Sequence, residues 1–479
     1  MSTLPLRFLR SEGVRLAAPA AAFEVLGYLG VVGVGALCFL FGWLTPNAAA
    51  VLTVLLLSSL IVLAWKRFDQ GRHPCFLFLC MLMLFQCGRL VGYCLGDVAN
   101  PFRIELMNAT PFDVTRDEAG LVLLSIALSA ICIYAPCRWN FQPVAPPSSA
   151  PVRRYLPYLY ILFFCSLPFQ LAKNYLYLRY AQRHGGYLTF FIDYSGLAAS
   201  VPWLIRLISL VALPVFVAIF VFETRKKWLW TAAILYLATA TLYLLTGSRM
   251  DTFGLILALW YVARVKSTKR ASALVLALLA AGMIFLATVI QSARFGSADD
   301  AARSVNIVRS VAEQGISLDI TEVAIKYRPL FQPYVGSYLL HDLQGKFVSS
   351  DVSNYVRGWS FGFDVSAFLN PGLFRFGFGT GGAYLADTYL MGGLYGVAAL
   401  SLIIGVGLRL LYTYSASSLG LFVVAAVLPD VLMMPRGGLL VWTSALLKTA
   451  IVVFPLIVGW WIFDFLIPCR RPLASEARP

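Results

Sequence analysis

Apolar runs of roughly 17 to 25 residues recur along the whole chain, and each is long enough to cross a hydrocarbon core of about 30 Å as a helix. That repetition leaves few folds open. Backbone polar groups inside a bilayer have to be satisfied within the protein, which restricts spanning structure to helices or closed barrels. A barrel would show short strands with alternating polarity, a pattern this chain lacks. Of 479 residues, 59% are hydrophobic and 13% charged. With a mean hydropathy of +0.77, this composition excludes an ordinary soluble core. The chain therefore reads as all-α, a polytopic membrane helix bundle. The spans are expected at 23–45, 49–65, 74–95, 119–137, 155–172, 201–222, 228–246, 252–264, 271–291, 382–408, 417–434 and 438–466, about twelve transmembrane helices.

Charge orients these spans. Lys66, Arg67 and Arg72 follow the second span, and Arg138, Arg153 and Arg154 the fourth. Arg225, Lys226 and Lys227 follow the sixth, and Arg264, Lys266, Lys269 and Arg270 the eighth. Every second loop is basic, and Arg470 and Arg471 extend the pattern into the tail. One orientation satisfies the positive-inside rule throughout, with both termini in the cytoplasm. The net charge of +15 is thereby explained without nucleic acid as a partner. The first span follows Arg7, Arg10 and Arg15 with no small-residue cleavage site after it, so it is expected to be retained. Nine cysteines are scattered, mostly within spans, with no CxxC and no metal-ligand spacing; they read as packing residues.

Four regions result: membrane helices in 1–172, a central membrane region in 173–291 with an outer loop at 173–200, a large outer loop at 292–381, and membrane helices in 382–479. Within the large loop, apolar residues recur at helical spacing from Ser304 to Tyr327, which predicts short amphipathic helices against the membrane face. Asp319 and Glu322 share one face of such a helix, or simply form its solvated side.

The informative cations lie on the face that topology disfavours. Arg249 sits in the turn between spans seven and eight, Arg294 just beyond span nine, and Arg436 in Pro435-Arg436-Gly437-Gly438 between spans eleven and twelve. Arg328 and Arg357 add to the same side from the large loop. Snorkelling or an internal ion pair accounts for any single arginine. Several together suggest an anion, because the planar guanidinium matches phosphate oxygens in pairs. Asp387, early in span ten, is costly there unless it faces a polar cavity, and it is the first candidate for a general base; a structural pairing with Arg249 or Arg436 is the alternative. His341 is a second candidate base, or surface decoration. Gly377-Phe378-Gly379-Thr380-Gly381-Gly382 looks like a nucleotide-binding glycine pattern, but no strand precedes it. It reads better as a close-packed re-entry ahead of a helix whose N–H groups face an anion.

These pieces fall together with Gly185-Gly186-Tyr187-Leu188, Thr246-Gly247-Ser248-Arg249, Glu313-Gln314-Gly315-Ile316-Ser317-Leu318 and the run from Ala383 to Gly393. The chain resembles the bacterial O-antigen polysaccharide polymerases of the Wzy type from about residue 170 to 450. Relatives commonly carry an acidic residue two before the tyrosine of span ten, often Glu, where this chain has Asp387 before Tyr389. The resemblance implies a GT-C-like, metal-independent glycosyltransferase without a cofactor, at the periplasmic face of the bacterial inner membrane. Its substrates would be undecaprenyl-diphosphate-linked oligosaccharides in membrane lipid, with a chain-length regulator and a flippase as partners. Under it, Asp387 or His341 would act as base, and Arg249, Arg294, Arg328, Arg357 and Arg436 would hold diphosphate or substrate. Tyr327, Tyr334, Tyr338, Tyr355 and Trp359 would stack on sugar rings or form an interface belt. An O-antigen ligase would share these features. A transporter or flippase would be expected to show internal repeats, which are not seen here.

Overall fold

The computed structural model describes residues 17–104, 106, 112–139, 141, 156–184, 189–245, 250–267, 272, 274–276, 278–285, 307–344, 352, 355–443, 446–447 and 449–451. Arg249, Arg294 and the Gly185–Leu188 motif lie outside these residues.

The N-terminal part contains α1 (Ala17–Leu40), α2 (Pro46–Arg67), α3 (Pro74–Gln86), α4 (Gly88–Cys94) and α5 (Arg116–Arg138). A two-stranded antiparallel ribbon, β1 (Arg103–Ile104) and β2 (Phe112–Asp113), sits between α4 and α5, with Arg103 opposite Asp113. Next come α6 (Leu156–Arg183), α7 (Thr189–Ile192), α8 (Tyr194–Ala199), α9 (Trp203–Phe222), α10 (Lys226–Leu245) and α11 (Met250–Lys266). The region expected to form the large outer loop holds α12 (Ile307–Gln314), α13 (Ile316–Lys326), α14 (Arg328–Phe331), α15 (Val335–Gln344), α16 (Phe361–Leu369) and α17 (Pro371–Arg375). The chain returns to long helices in α18 (Tyr384–Tyr414) and α19 (Ser418–Met433).

Helix starts follow local chemistry. Thr45 caps α2 with Pro46 in its first turn, and Thr115 and Glu118 form a reciprocal capping box on α5. Between spans, small and hydroxyl residues bring backbones together. Ser129 of α5 hydrogen-bonds the Tyr384 hydroxyl (2.5 Å) and Ser401 (2.8 Å) of α18, and a Cβ on Gly405 would sit 3.0 Å from the Cα of Ile133.

Among the described residues, seven helices are long and apolar enough to cross a membrane, or eight if a bent pair counts as one. The all-α polytopic expectation stands at that coarser level. The predicted third span is that bent pair: α3 and α4 meet at 68° around Cys87–Gly88. A second departure concerns Ser304–Tyr327. Rather than lying on the membrane face with a solvated side, α13 is buried along nearly its whole length, packed on α5 and α18. Asp319 and Glu322, read as a shared or solvated face, are both buried, at 3% and 0% exposure.

Basic loops converge on one end. Arg67 and Arg138 both reach Glu24 (3.6 and 3.5 Å), Arg72 reaches the carbonyl of Ser267, and Lys266 donates to the carbonyl of Glu223 (2.9 Å). The C-terminal ends of α2, α5, α9 and α11 thus share an end of the bundle. The outer-loop helices meet the opposite one, where Lys326 faces Glu118 at the start of α5 (3.7 Å).

Candidate active site

At that opposite end, three backbone segments approach so closely that side chains would not fit. A Cβ on Gly362 would overlap the carbonyl of Gly381, and one on Gly382 would sit 3.1 Å from the carbonyl carbon of Gly437. Gly381 has φ +80°, a left-handed conformation that glycine adopts without steric cost. The start of α16, the glycine segment and the 434–438 turn are therefore stacked on one another. They enclose a cavity of about 310 Å³. Its walls come from α15 (Val335, Tyr338, Leu339), the start of α16 (Phe361, Phe363), the first turns of α18 (Asp387, Leu390, Met391) and the turn carrying Arg436.

Asp387 and Arg436, singled out 49 positions apart in sequence, line this one cavity. The Leu439 N–H donates to Asp387 Oδ2 (2.8 Å), fastening the carboxylate to the residue that follows the arginine turn. Arg436 donates from Nη1 to Gln314 Oε1 (2.6 Å) and lies over the ring of Phe85, 5.5 Å from its centre. A residue missed in sequence holds the turn from below. Fully buried Gln86 donates from Nε2 to the Pro435 carbonyl (2.9 Å) and accepts from the Thr321 hydroxyl (3.1 Å). The start of α18 is itself enclosed: Tyr384, Leu385 and Ala386 are fully buried and the Tyr384 N–H points to the Met434 carbonyl (3.3 Å). Its first N–H is therefore used within the protein rather than for an anion.

The other described candidates, Arg328, Arg357 and His341, do not line the cavity. Helix α18 breaks at Gly392 and at Gly393, which has φ +59°. The Arg328 guanidinium packs at that break, 5.5 Å from the Tyr389 ring centre and with Nη1 3.5 Å from where a Gly393 Cβ would be; its buried Nε has no hydrogen-bond partner. Arg357 is exposed and lies over Tyr334 (5.1 Å). His341 approaches the Ser337 carbonyl through Nδ1 (2.9 Å) and packs against Trp359 (5.1 Å). Of the aromatics expected to meet sugars, Tyr327 is packed edge-on against Phe112 and Phe368. Tyr338 and Tyr355 both donate to Asp364 (2.7 and 2.8 Å).

Nearby, Asp319 forms an ion pair with Arg89, which also donates to the Arg103 carbonyl (2.7 Å). Glu322, one turn on, has no hydrogen-bond partner for either carboxyl oxygen. Burial pushes its pKa well above the usual carboxylate range, and the negative charge of Asp319 adds to the shift. At the far end of the bundle, His73, Cys75 and Cys137 bring potential metal-ligand atoms within 4.8 Å of one another. Sequence spacing hides this group, since its members come from two helices. His73 Nδ1 accepts the Cys75 N–H at the start of α3 (3.1 Å), and the Cys137 thiol donates to the Gly405 carbonyl (3.2 Å).

Residues 31–466 match the family model of the O-antigen polysaccharide polymerase Wzy. The chain belongs to that family. No curated protein and no solved structure matches it. In this Wzy-family chain the matched region takes in the cavity and the helices that build it. An acid and a permanent cation that line one cavity can remove a proton at one point and stabilise negative charge at another.

Proposed function

We propose that this Wzy-family chain joins undecaprenyl-diphosphate-linked oligosaccharide repeats into O-antigen or a related surface polysaccharide, by metal-independent glycosyl transfer at the periplasmic face of the inner membrane. Family membership supports polymerisation of lipid-linked repeats in a membrane setting. The observation that carries the chemistry is the shared cavity of Asp387 and Arg436. An acceptor hydroxyl gives its proton to the Asp387 carboxylate as its oxygen bonds to the anomeric carbon of the donor sugar. The bond from that carbon to the diphosphate oxygen breaks, and the electron pair leaves with the lipid diphosphate. Arg436 neutralises the charge that develops there. Arg328 and Arg357, with Arg249 and Arg294, supply further positive charge for diphosphate or substrate. Asp387 is preferred to His341 as base because it lines the cavity and His341 does not. The reading includes about twelve spans in a GT-C-like bundle, both termini in the cytoplasm, and a chain-length regulator and flippase as partners.

The test is deletion in the native bacterium followed by a gel of surface lipopolysaccharide. The ladder is expected to collapse to core plus one repeat and to return with wild type. Asp387→Asn should lower the rate of chain growth by about 10²- to 10⁴-fold, the range for loss of a positioned base. Arg436→Ala should also fail to restore the ladder while inserting normally, and EDTA should leave wild-type polymerisation unchanged. Loss of every capped band would indicate a ligase instead, and an unchanged ladder would point to transport or to another exported glycan.

A further inference from the structure

Asp364 belongs to no motif, yet three separate groups donate to its carboxylate beside the cavity. It is 3% exposed. Oδ2 accepts from the Tyr338 hydroxyl (2.7 Å), Oδ1 from the Tyr355 hydroxyl (2.8 Å), and the Gly358 N–H points between the two oxygens (3.0 and 3.2 Å). Among the described residues no cation pairs with it within 4.0 Å. A buried polar network whose members are satisfied in this way fixes the geometry of the segments it joins.

The donors come from different pieces of chain. Tyr338 is on α15 and lines the cavity; Tyr355 and Gly358 belong to the segment leading into α16, and Asp364 lies in the first turn of α16. Gly358 has φ +88°, and a Cβ there would sit 3.0 Å from the ring of Tyr334, just ahead of α15, and 3.3 Å from Ser337 Oγ on α15, so the segment lies against the start of that helix. Arg357 and Trp359 flank that glycine, and the next residues, Ser360 to Phe363, line the cavity. One carboxylate thus ties α15, the 355–359 segment and α16 into a single wall.

We propose that Asp364 is a positioning residue that presets the aromatic wall on which the incoming glycan is received. This rests on the glycosyl-transfer reading of the cavity. Asp364 does not itself exchange a proton with substrate, because its oxygens are taken up by three donors and it does not line the cavity. Its contribution is to binding, since a preformed wall spares the glycan the entropy of ordering it.

The test compares wild type, Asp364→Asn and Tyr355→Phe as full-length protein in nanodiscs. In the asparagine variant the one remaining amide oxygen still accepts from the Gly358 N–H and from one tyrosine, while the new NH2 faces the other tyrosine, whose hydroxyl has to turn and accept, so one charge-assisted bond of the clamp is lost and another reversed. Hydrogen exchange of the peptide covering 355–360 should accelerate by about tenfold or more in both variants. With lipid-linked repeats extracted from a polymerase-deficient strain, KM should rise about tenfold while kcat changes less than about threefold, the signature of lost binding rather than lost chemistry. Asp387→Asn should show the opposite split. Unchanged exchange in both variants overturns the clamp. Faster exchange with unchanged KM, or a loss confined to kcat, overturns its role in receiving substrate. A wild-type protein inactive on these repeats, with the exchange result intact, refutes the glycosyl-transfer reading and leaves the clamp standing as architecture.

Discussion

Glu322 shows how much one side chain can set conditions for the fold. Its carboxyl is fully buried on α13 and lacks a hydrogen-bond partner, with Asp319, Lys326, Arg89 and Glu118 as the charged groups around it. Its folded pKa is raised, so between the ordinary value of 4.5 and the raised one the folded protein binds more protons than the unfolded chain. Stability contributed by the neutral carboxyl is complete below that window and is lost as pH rises through the folded pKa. Thermal unfolding in detergent should therefore occur at progressively lower temperature as pH increases, and Glu322→Gln should flatten that slope. Identical slopes for the two proteins would show that the carboxyl is ionised in the native state. The same scale explains Asp387: an acid just before a helix break is tolerable because a backbone N–H and a cavity receive it.

Among the elements, the glycine segment before α18 is the one whose geometry depends most on missing side chains. Gly362→Ala drives a Cβ into the Gly381 carbonyl, and overpacking of this kind costs about 1–3 kcal/mol. It should lower the unfolding temperature and thin the polysaccharide ladder. Gly336→Ala is the matched control. Its Cβ meets nothing within 4 Å in the first turn of α15, so the change should leave stability within about 0.5 kcal/mol. Equal effects of the two substitutions would remove the close approach as the reason for these glycines. The broken α3–α4 pair serves the same region: a Cβ on Gly88 would overlap the Val311 carbonyl, so α4 lies directly on α12. That contact brings Gln86 beneath the Pro435 carbonyl and the Arg436 turn.

For the molecule as a whole, the decisive arrangement is the separation of its two ends. One gathers the basic loops around Glu24 and Glu223, and the other holds the cavity. Under the proposed topology, which follows the positive-inside rule, the cavity lies at the outer face. In a variant with the nine native cysteines replaced by serine or alanine, single cysteines placed at exposed Lys227 and exposed Arg357 test this in intact cells with a maleimide that cannot cross the inner membrane. Residue 357 should label at once and residue 227 only after lysis. The reverse order would invert the topology and place the proposed chemistry in the cytoplasm.

Fold class was legible from the amino-acid order because burial in lipid leaves a local record: every spanning helix has to be apolar over its own length, whatever surrounds it. Asp387 and Arg436 were legible for a related reason, since a charge at a membrane boundary is conspicuous against its neighbours. The bend in the third span left no such record, because a bent pair and a straight span have the same apolar content. The burial of α13 was equally hidden, since its charges look solvated until Arg89, far away in sequence, is seen on Asp319. Gln86 meets Pro435 across 349 positions, and Asp364 gathers donors from separate segments. Such contacts are made by packing rather than by local propensity. Only the tertiary structure could therefore decide that Asp387 and Arg436 line the cavity while Arg328, Arg357 and His341 do not.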